Sequence, residues 1–353
     1  MEEPAAAATA APRAAAAAGW GGRESLAALF HRLSASRAPG TAITAFCSGG
    51  GAHTLLSPPP VQHVLLSLLD TRAALPLRAT CREARAAVAG HAWEDGDTVI
   101  KGSIAAWRAC FPRARCANLR KFDADCRKFL RKAPVVDADF VHFEGLRELN
   151  MVRCTAVTDA AFAHLRGIHT LDMSLCDQPA ITDAAFAHLV GIQRLSIAGC
   201  KQATLTDAAF VHLRGIQLLN MSNCKQFTDA AFVHLRGIHT LYMWYCSQPA
   251  ISDAAFVHLR GIHTLVMNGW KQATLTGTGF AHLQGIRALG MLDCRENLVA
   301  DARGLGLPVN TRKCTSAGPL HYTFDERGWG EHYTIVDHGS IHLERNERYK
   351  NLL

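Results

Sequence analysis

The chain has 353 residues, 49% of them hydrophobic and 19% charged, with a formal net charge of +7. That length admits two or three domains or one extended repeat array, and the composition can bury a large core. No apolar run approaches the ~20 residues a membrane-spanning helix needs, so no membrane partner is expected. Twelve cysteines, with no basic and apolar leader segment, predict reduced thiols and a cytoplasmic or nuclear location.

Residues 1–53 are expected to be a disordered leader. Eleven of the first eighteen residues are Ala, interrupted by Pro4 and Pro12, and a tract with no apolar face to bury is marginal as a helix in water. Gly49, Gly50 and Gly51 close it without the Gly-Lys-Ser/Thr that a phosphate loop requires.

Residues 54–97 predict a compact helical motif. Val61, Val64, Leu65, Leu68 and Leu69 recur as one helical face. Pro58, Pro59 and Pro60 fit the first turn of that helix, where proline is tolerated. A second apolar set follows Asp70 and Thr71: Leu75, Leu77, Cys81, Ala84 and Val88. About 40 residues bury too little to be strongly stable alone. This stretch resembles an F-box, the short motif that docks on the Skp-type adaptor of cullin-based ubiquitin ligases. The match runs through Pro58, Val61, Leu65, Leu66, Leu69, Leu75, Leu77, Cys81, Arg82 and Trp93. The resemblance implies that Pro58, Val61, Leu65, Leu66, Leu69, Leu75 and Leu77 contact the adaptor. Three positions depart from the pattern: Ser57 stands where Leu is usual, Ala84 where Trp is common, and Pro76 falls inside the second helix. A mid-helix proline costs about 3 kcal/mol, so that helix should be broken or start late.

Residues 98–136 form a basic connector. Between 101 and 132 there are ten Lys or Arg against Asp123 and Asp125. Such a strip suits an acidic protein or nucleic acid, or is simply a solvated connector. An irregular first repeat is expected near Arg115–Leu119.

Residues 137–294 repeat. The unit [TS]-D-A-A-F-x-H-L-x-G-I-x-x-L-x-M-x-x-C places Phe at 140, 162, 186, 210, 232, 256 and 280, with spacings of 22, 24 and 24 occurring twice. A three-unit block of 70 residues has therefore been duplicated in tandem. A period of 20–29 with L-x-x-L-x-L-x-x-[NC] resembles the leucine-rich repeat, in its cysteine-containing form. The resemblance implies an α/β solenoid: a leucine-rich repeat horseshoe of about seven units, preceded by a small all-α F-box-like segment.

Within a unit, Thr158 should cap a helix begun by Asp159, with Ala160, Ala161, Phe162 and Leu165 on its inner face. Gly167 should end that helix in a left-handed conformation. Ile168, Leu171 and Met173 point inward around a short parallel strand, and Cys176 packs beneath it. The cysteines 154, 176, 200, 224, 246 and 294 share one slot and form a row, not the convergent cluster a metal needs. His142, His164, His188, His212, His234, His258 and His282 share another, where bonding to neighbouring coils is expected. No metal and no cofactor are expected.

One unit differs. LYMWYC at 241–246 carries Tyr242, Trp244 and Tyr245 where sibling units have small or polar residues. Positions between the inward residues face the concave side of such a repeat. Exposed aromatics on a rigid wall are typical of a binding hot spot; the alternative is packing beneath the C-terminal segment. Trp270 occupies a cysteine slot, so it must overpack that slot or swing toward the same patch. The expected target-binding residues are Asn150, Asp172, Asn220, Tyr242, Trp244, Tyr245, Asn268 and Trp270. Residues 295–353 should cap the solenoid, with HYTFDERGWGEHYTIV forming a hairpin near Gly328–Gly330.

No nucleophile elbow, H-E-x-x-H or Cys-x-x-Cys is present, so a non-catalytic protein is expected. The resemblances together imply a substrate-recognition adaptor: Skp-type adaptor and cullin complex at one end, an unknown protein substrate at the other. Nucleic acid is not the expected partner. The second hypothesis is a leucine-rich interaction scaffold with no ligase role.

Overall fold

The computed structural model describes residues 62–63, 66–67, 69–96, 98, 100, 102–119, 134–246 and 248–311. The leader, Pro58, Val61, Leu65, most of the basic strip and the expected hairpin lie outside the described residues. Among those described, two compact units are distinguished. One holds the helices up to Trp93 with residues 110–113, and the other holds residues 94–109 and 114–311.

The second unit is a leucine-rich repeat solenoid. Nine short strands, β1 (Cys116–Asn118), β2 (Glu148–Asn150), β3 (Thr170–Asp172), β4 (Arg194–Ser196), β5 (Leu218–Asn220), β6 (Thr240–Tyr242), β7 (Thr264–Val266), β8 (Ala288–Gly290) and β9 (Val309–Asn310), lie side by side in chain order. All pairs are parallel. The register is set by the middle residue: Leu171 opposes Leu195, and Leu219 opposes Leu241, which opposes Leu265. Each of those leucines is buried, and a one-residue slip would turn the whole row to solvent. The sheet thus extends the seven repeats by one strand at each end. β1 realises the irregular first repeat, so residues 98–136 are more than a connector. At the other end, the helix Glu296–Gly304 and β9 form the described part of the cap.

On the opposite side each coil makes about two turns of helix. Over Asp159–Leu165 an α turn passes into a 3-10 turn, while Asp207–Leu213 and Asp253–Leu259 are 3-10 throughout. Thr158 caps as expected, its Oγ1 accepting from the Ala160 amide at 3.2 Å. Ala160 is exposed, however, and only Ala161, Phe162 and Leu165 face the core. So short a helix has no room for a wider apolar face. Gly167 closes the turn at φ 80.

The role of Asp159 goes further than helix charge. Its carboxylate accepts from both the amide and the hydroxyl of Thr182 in the next coil, at 2.7 and 2.6 Å. Asp137, Asp183, Asp207 and Asp229 do the same for Thr158, Thr206, Thr228 and Ser252. One hydroxyl therefore donates backward across the coil boundary while accepting from its own helix. The column ends at Asp253, which holds Thr276 and also the amides of Gly277 and Gly279. Gly277 stands where the next Asp would be, and a side chain there would collide with Asp301 of the capping helix.

Beneath the strands, five slot cysteines donate S–H to a carbonyl one coil back. Cys176, Cys200, Cys224, Cys246 and Cys294 reach Met151, Met173, Ile197, Met221 and Met267 at 3.0–3.2 Å. Burial pushes the Cys200 and Cys246 thiols up to about 12 and raises Cys176 and Cys224 as well.

The helical unit contains α1 (Thr71–Arg78) and α2 (Arg82–Gly90). The second apolar set does not form one helix. Pro76 lies inside α1, which begins at the Asp70 cap and stops two residues after the proline. Cys81 then starts α2, its sulfur accepting from the Ala84 amide at 3.3 Å. Leu77, Ala84 and Val88 are buried, together with Leu66 and Leu69, whereas Leu75 is 46% exposed. Trp93 is enclosed, donates to the Val88 carbonyl at 2.9 Å, and meets Phe111 edge-on at 5.5 Å.

Candidate functional site: the strand face

Three rows of side chains cross the strand face, the concave side of a repeat horseshoe. The first strand residues run Glu148, Thr170, Arg194, Leu218, Thr240, Thr264 and Ala288; the third run Asn150, Asp172, Ser196, Asn220, Tyr242, Val266 and Gly290. Two residues further come Val152, Ser174, Ala198, Ser222, Trp244, Asn268 and Leu292. The face is mostly polar through β5 and gains aromatic and aliphatic residues from β6.

The polar expected residues are engaged locally. Asn150, Asp172 and Asn220 each accept from the amide two residues ahead, at 3.3, 3.1 and 3.1 Å, steering the chain out of its strand. Asp172 also accepts from the Ser174 hydroxyl at 2.6 Å. Asn268 accepts from the Leu292 amide in the following coil at 2.8 Å. All four sit on the strand face, and their polar groups serve the frame.

The aromatic coil is built differently. Tyr242 is half-buried in register with Asn220 and Val266, and it cannot accept the amide hydrogen that Asp172 takes. The Trp244 amide donates instead to Ser222 Oγ of the preceding coil at 3.2 Å. Tyr245 lies beyond the strand, at the corner where the chain turns away, with φ 53. Arg153, Leu175, Asn223 and Asp293 adopt the same left-handed corner, and Gly199 and Gly269 complete the row. A non-glycine residue there is strained. The Tyr245 ring lies over Gly269, where any Cβ would approach it to 2.4 Å. Its remaining surface leaves it 55% exposed. Tyr245 is thus a rim residue, not a strand residue.

Trp270 corrects the expectation for its slot. It neither swings outward nor joins the aromatic patch; it is 0% exposed. Its Nε1–H donates to the Met243 carbonyl at 2.7 Å, the bond that a cysteine S–H makes in every neighbouring coil described above. An indole keeps the donor and fills the volume, so Trp270 belongs to the core and not to the target-binding face.

Sequence inspection missed one group. The residue before each strand forms a column linked by main-chain bonds: the His239 amide donates to Gln217, His263 to His239, and Arg287 to His263, at 3.1, 3.0 and 2.9 Å. The imidazoles of His239 and His263 stack with centroids 3.8 Å apart and planes at 9°. Their signal was the repeat frame itself, which puts residues 24 apart in direct contact.

Of the helix-side histidines, His164, His258 and His282 bond to neighbouring coils, whereas His234 Nδ1 is buried without a hydrogen-bond partner. His164 Nδ1 meets Glu144 at 2.7 Å, and His282 lies 3.1 Å from the Arg260 guanidinium. Burial, then Arg236, holds His258 below the ordinary histidine value. Among the described residues no cluster of three His, Cys, Asp or Glu side chains could hold a metal ion, and no helix is long and apolar enough to cross a membrane.

No sequence-family profile and no curated relative matches the chain. Solved structures similar to it include an internalin C2 from Listeria monocytogenes, at 17% identity over 68% of this chain and 96% of that one, TM-score 0.42. The TLR13–ssRNA13 complex aligns at 13% identity over 57% of this chain, TM-score 0.40. The Toll–Spatzle complex of Drosophila aligns at 12% identity over 59%, TM-score 0.41. The chain spans about a third of the TLR13 and Toll chains, 33% and 35%.

Proposed function

We propose that this protein is a non-catalytic recognition scaffold that holds a protein target on the strand face of β6–β8. One observation carries the reading: Tyr242 and Trp244 on the strand face and Tyr245 on its rim gather where the frame is complete without aromatics, since sibling coils form the same strands and corner with none. Aromatic side chains offer large contact area at low entropic cost and dominate binding hot spots. Expected contacts are Tyr242, Trp244 and Tyr245, with Asn150, Asp172, Asn220 and Asn268 flanking them.

The finer reading is a substrate-recognition subunit of a Skp-cullin-F-box ubiquitin ligase. Its support is the helical unit's exposed Leu75, an apolar contact for an adaptor; Leu66, Leu69 and Leu77, also expected to touch the adaptor, are instead enclosed within the unit. Such a protein performs no chemistry and acts by raising the local concentration of its target.

Two full-length variants test the proposal. Trp244→Ala with Tyr245→Ala should keep the thermal midpoint and lose target capture; a midpoint lower by several degrees would mean the aromatics serve only packing. Leu75→Glu should abolish co-purification with a purified Skp-type adaptor. If the wild-type chain binds no such adaptor where a control F-box does, the ligase role fails and the scaffold stands.

A further inference from the structure

The aromatic patch has a net cationic border on one side. His239, His263 and Arg287 stand one coil apart at the leading edge of β6, β7 and β8, with His239 Nδ1 3.2 Å from the Thr240 hydroxyl on the strand face. No acidic residue occupies the strand-face positions of these coils, which read Thr240, Tyr242, Trp244, Thr264, Val266, Asn268, Ala288, Gly290 and Leu292. On the far rim Asp293 is paired with Lys271 at 3.0 Å. The leading edge is therefore the cationic side of a strand face that, in these coils, carries no charged side chain.

Resting on the scaffold reading above, we propose that this wall selects an extended peptide segment with one carboxylate side chain, seated over the His239–His263 stack and Arg287, and an apolar or aromatic side chain against Tyr242 and Trp244. Three residues of strand separate His239 from Tyr242, about 10 Å. An acid and an aromatic about three residues apart in an extended ligand span that distance.

Charge complementarity chooses the occupant. Arg287 is the one fixed cation at this edge, and parallel imidazoles at 3.8 Å repel when both are protonated. The edge matches a single negative charge better than a doubly charged phosphate. It also lacks the array of cations that a nucleic-acid backbone requires. Burial, then His263 and then Arg287, hold His239 below the ordinary histidine value. A carboxylate seated here favours the protonated ring, so binding takes up a proton and tightens as pH falls from about 7.5 to about 6.

The test screens the full-length chain against a displayed library of short random peptides. Enriched peptides should carry Asp or Glu about three residues from an aromatic or Leu. Arg287→Gln should weaken a selected peptide about tenfold. The Asp→Asn version of that peptide should bind wild type and Arg287→Gln alike. His239→Gln should flatten the pH dependence. Enrichment without acids, preference for a phosphoserine version, or displacement by a single-stranded RNA oligonucleotide overturns this inference while leaving the scaffold standing. No enrichment above the Trp244→Ala, Tyr245→Ala variant removes both.

Discussion

The two 70-residue blocks, 157–226 and 227–296, are the same object built twice. They are identical at 43 of 70 positions, so a face that changes at nearly every position has departed from the common pattern. The strand face does so. Of its nine positions in β3–β5 and the residues following, eight differ in β6–β8, and only Thr170 matches, at Thr240. Beneath it, Leu171, Leu195 and Leu219 recur as Leu241, Leu265 and Leu289, all buried. The contrast separates two requirements. Coil stacking constrains the inner side chains because each fills a space shared with its neighbours, whereas the face is free to vary provided each strand's amides keep acceptors. Asp172→Tyr242 shows that condition being met, with Ser222 supplying the acceptor the aspartate had provided.

The buried slot at 200 and 270 should break the equivalence most severely. Trp270→Ala is expected to cost about 3–5 kcal/mol, because it opens a large cavity and orphans the Met243 carbonyl. Its counterpart Cys200→Ala, which loses one thiol, should cost about 1 kcal/mol. Chemical denaturation of both variants reads the difference, and equal losses would mean Trp270 merely lines a surface.

A smaller effect is expected in the aspartate column. Asp183 accepts from two groups of the next coil and Asp253 from four. Burial raises the Asp253 carboxyl, but the hydrogen bonds from Thr276, Gly279 and Gly277 outweigh it and hold it below its ordinary value. A depressed folded value contributes stability above the unfolded value, near 3.9, that is lost as pH falls through the folded one. Asp253→Asn should therefore destabilise more than Asp183→Asn at neutral pH, and the gap should close in acid. Melting curves at several pH values measure it.

The thiols should distinguish the blocks least. Cys200 and Cys246, one in each block, both have thiols raised to about 12 by burial. A raised folded value means stability that is complete below the unfolded thiol range, near 8.5, and declines as pH rises above it. Both should resist alkylation by iodoacetamide at pH 8 until the protein unfolds. Rapid native labelling of one alone would show that its coil opens.

Much of the solenoid was legible because its slots recur. The Phe spacing set the coil length, and the left-handed glycines ended each helix where expected. Trp270 was misjudged from volume alone, since nothing in its own sequence says that an indole N–H can replace a thiol at a main-chain carbonyl. The Asp-to-Thr bond escaped because its partners are 21–23 residues apart, a separation that local capping rules do not reach. In the helical unit, Pro76 is accommodated inside α1 and does not break it, and the division into α1 and α2 depended on Cys81 serving as a cap.

The amino-acid order alone determined that this chain stacks coils and which side chains line the interior, because a coil of that period can bury its apolar residues only against its neighbours. The tertiary structure decided what the outward residues meet. It brought His239 onto His263, laid Tyr245 over Gly269, and drew Trp270 inside. Each outcome depends on distances between adjacent coils, which a linear pattern does not contain.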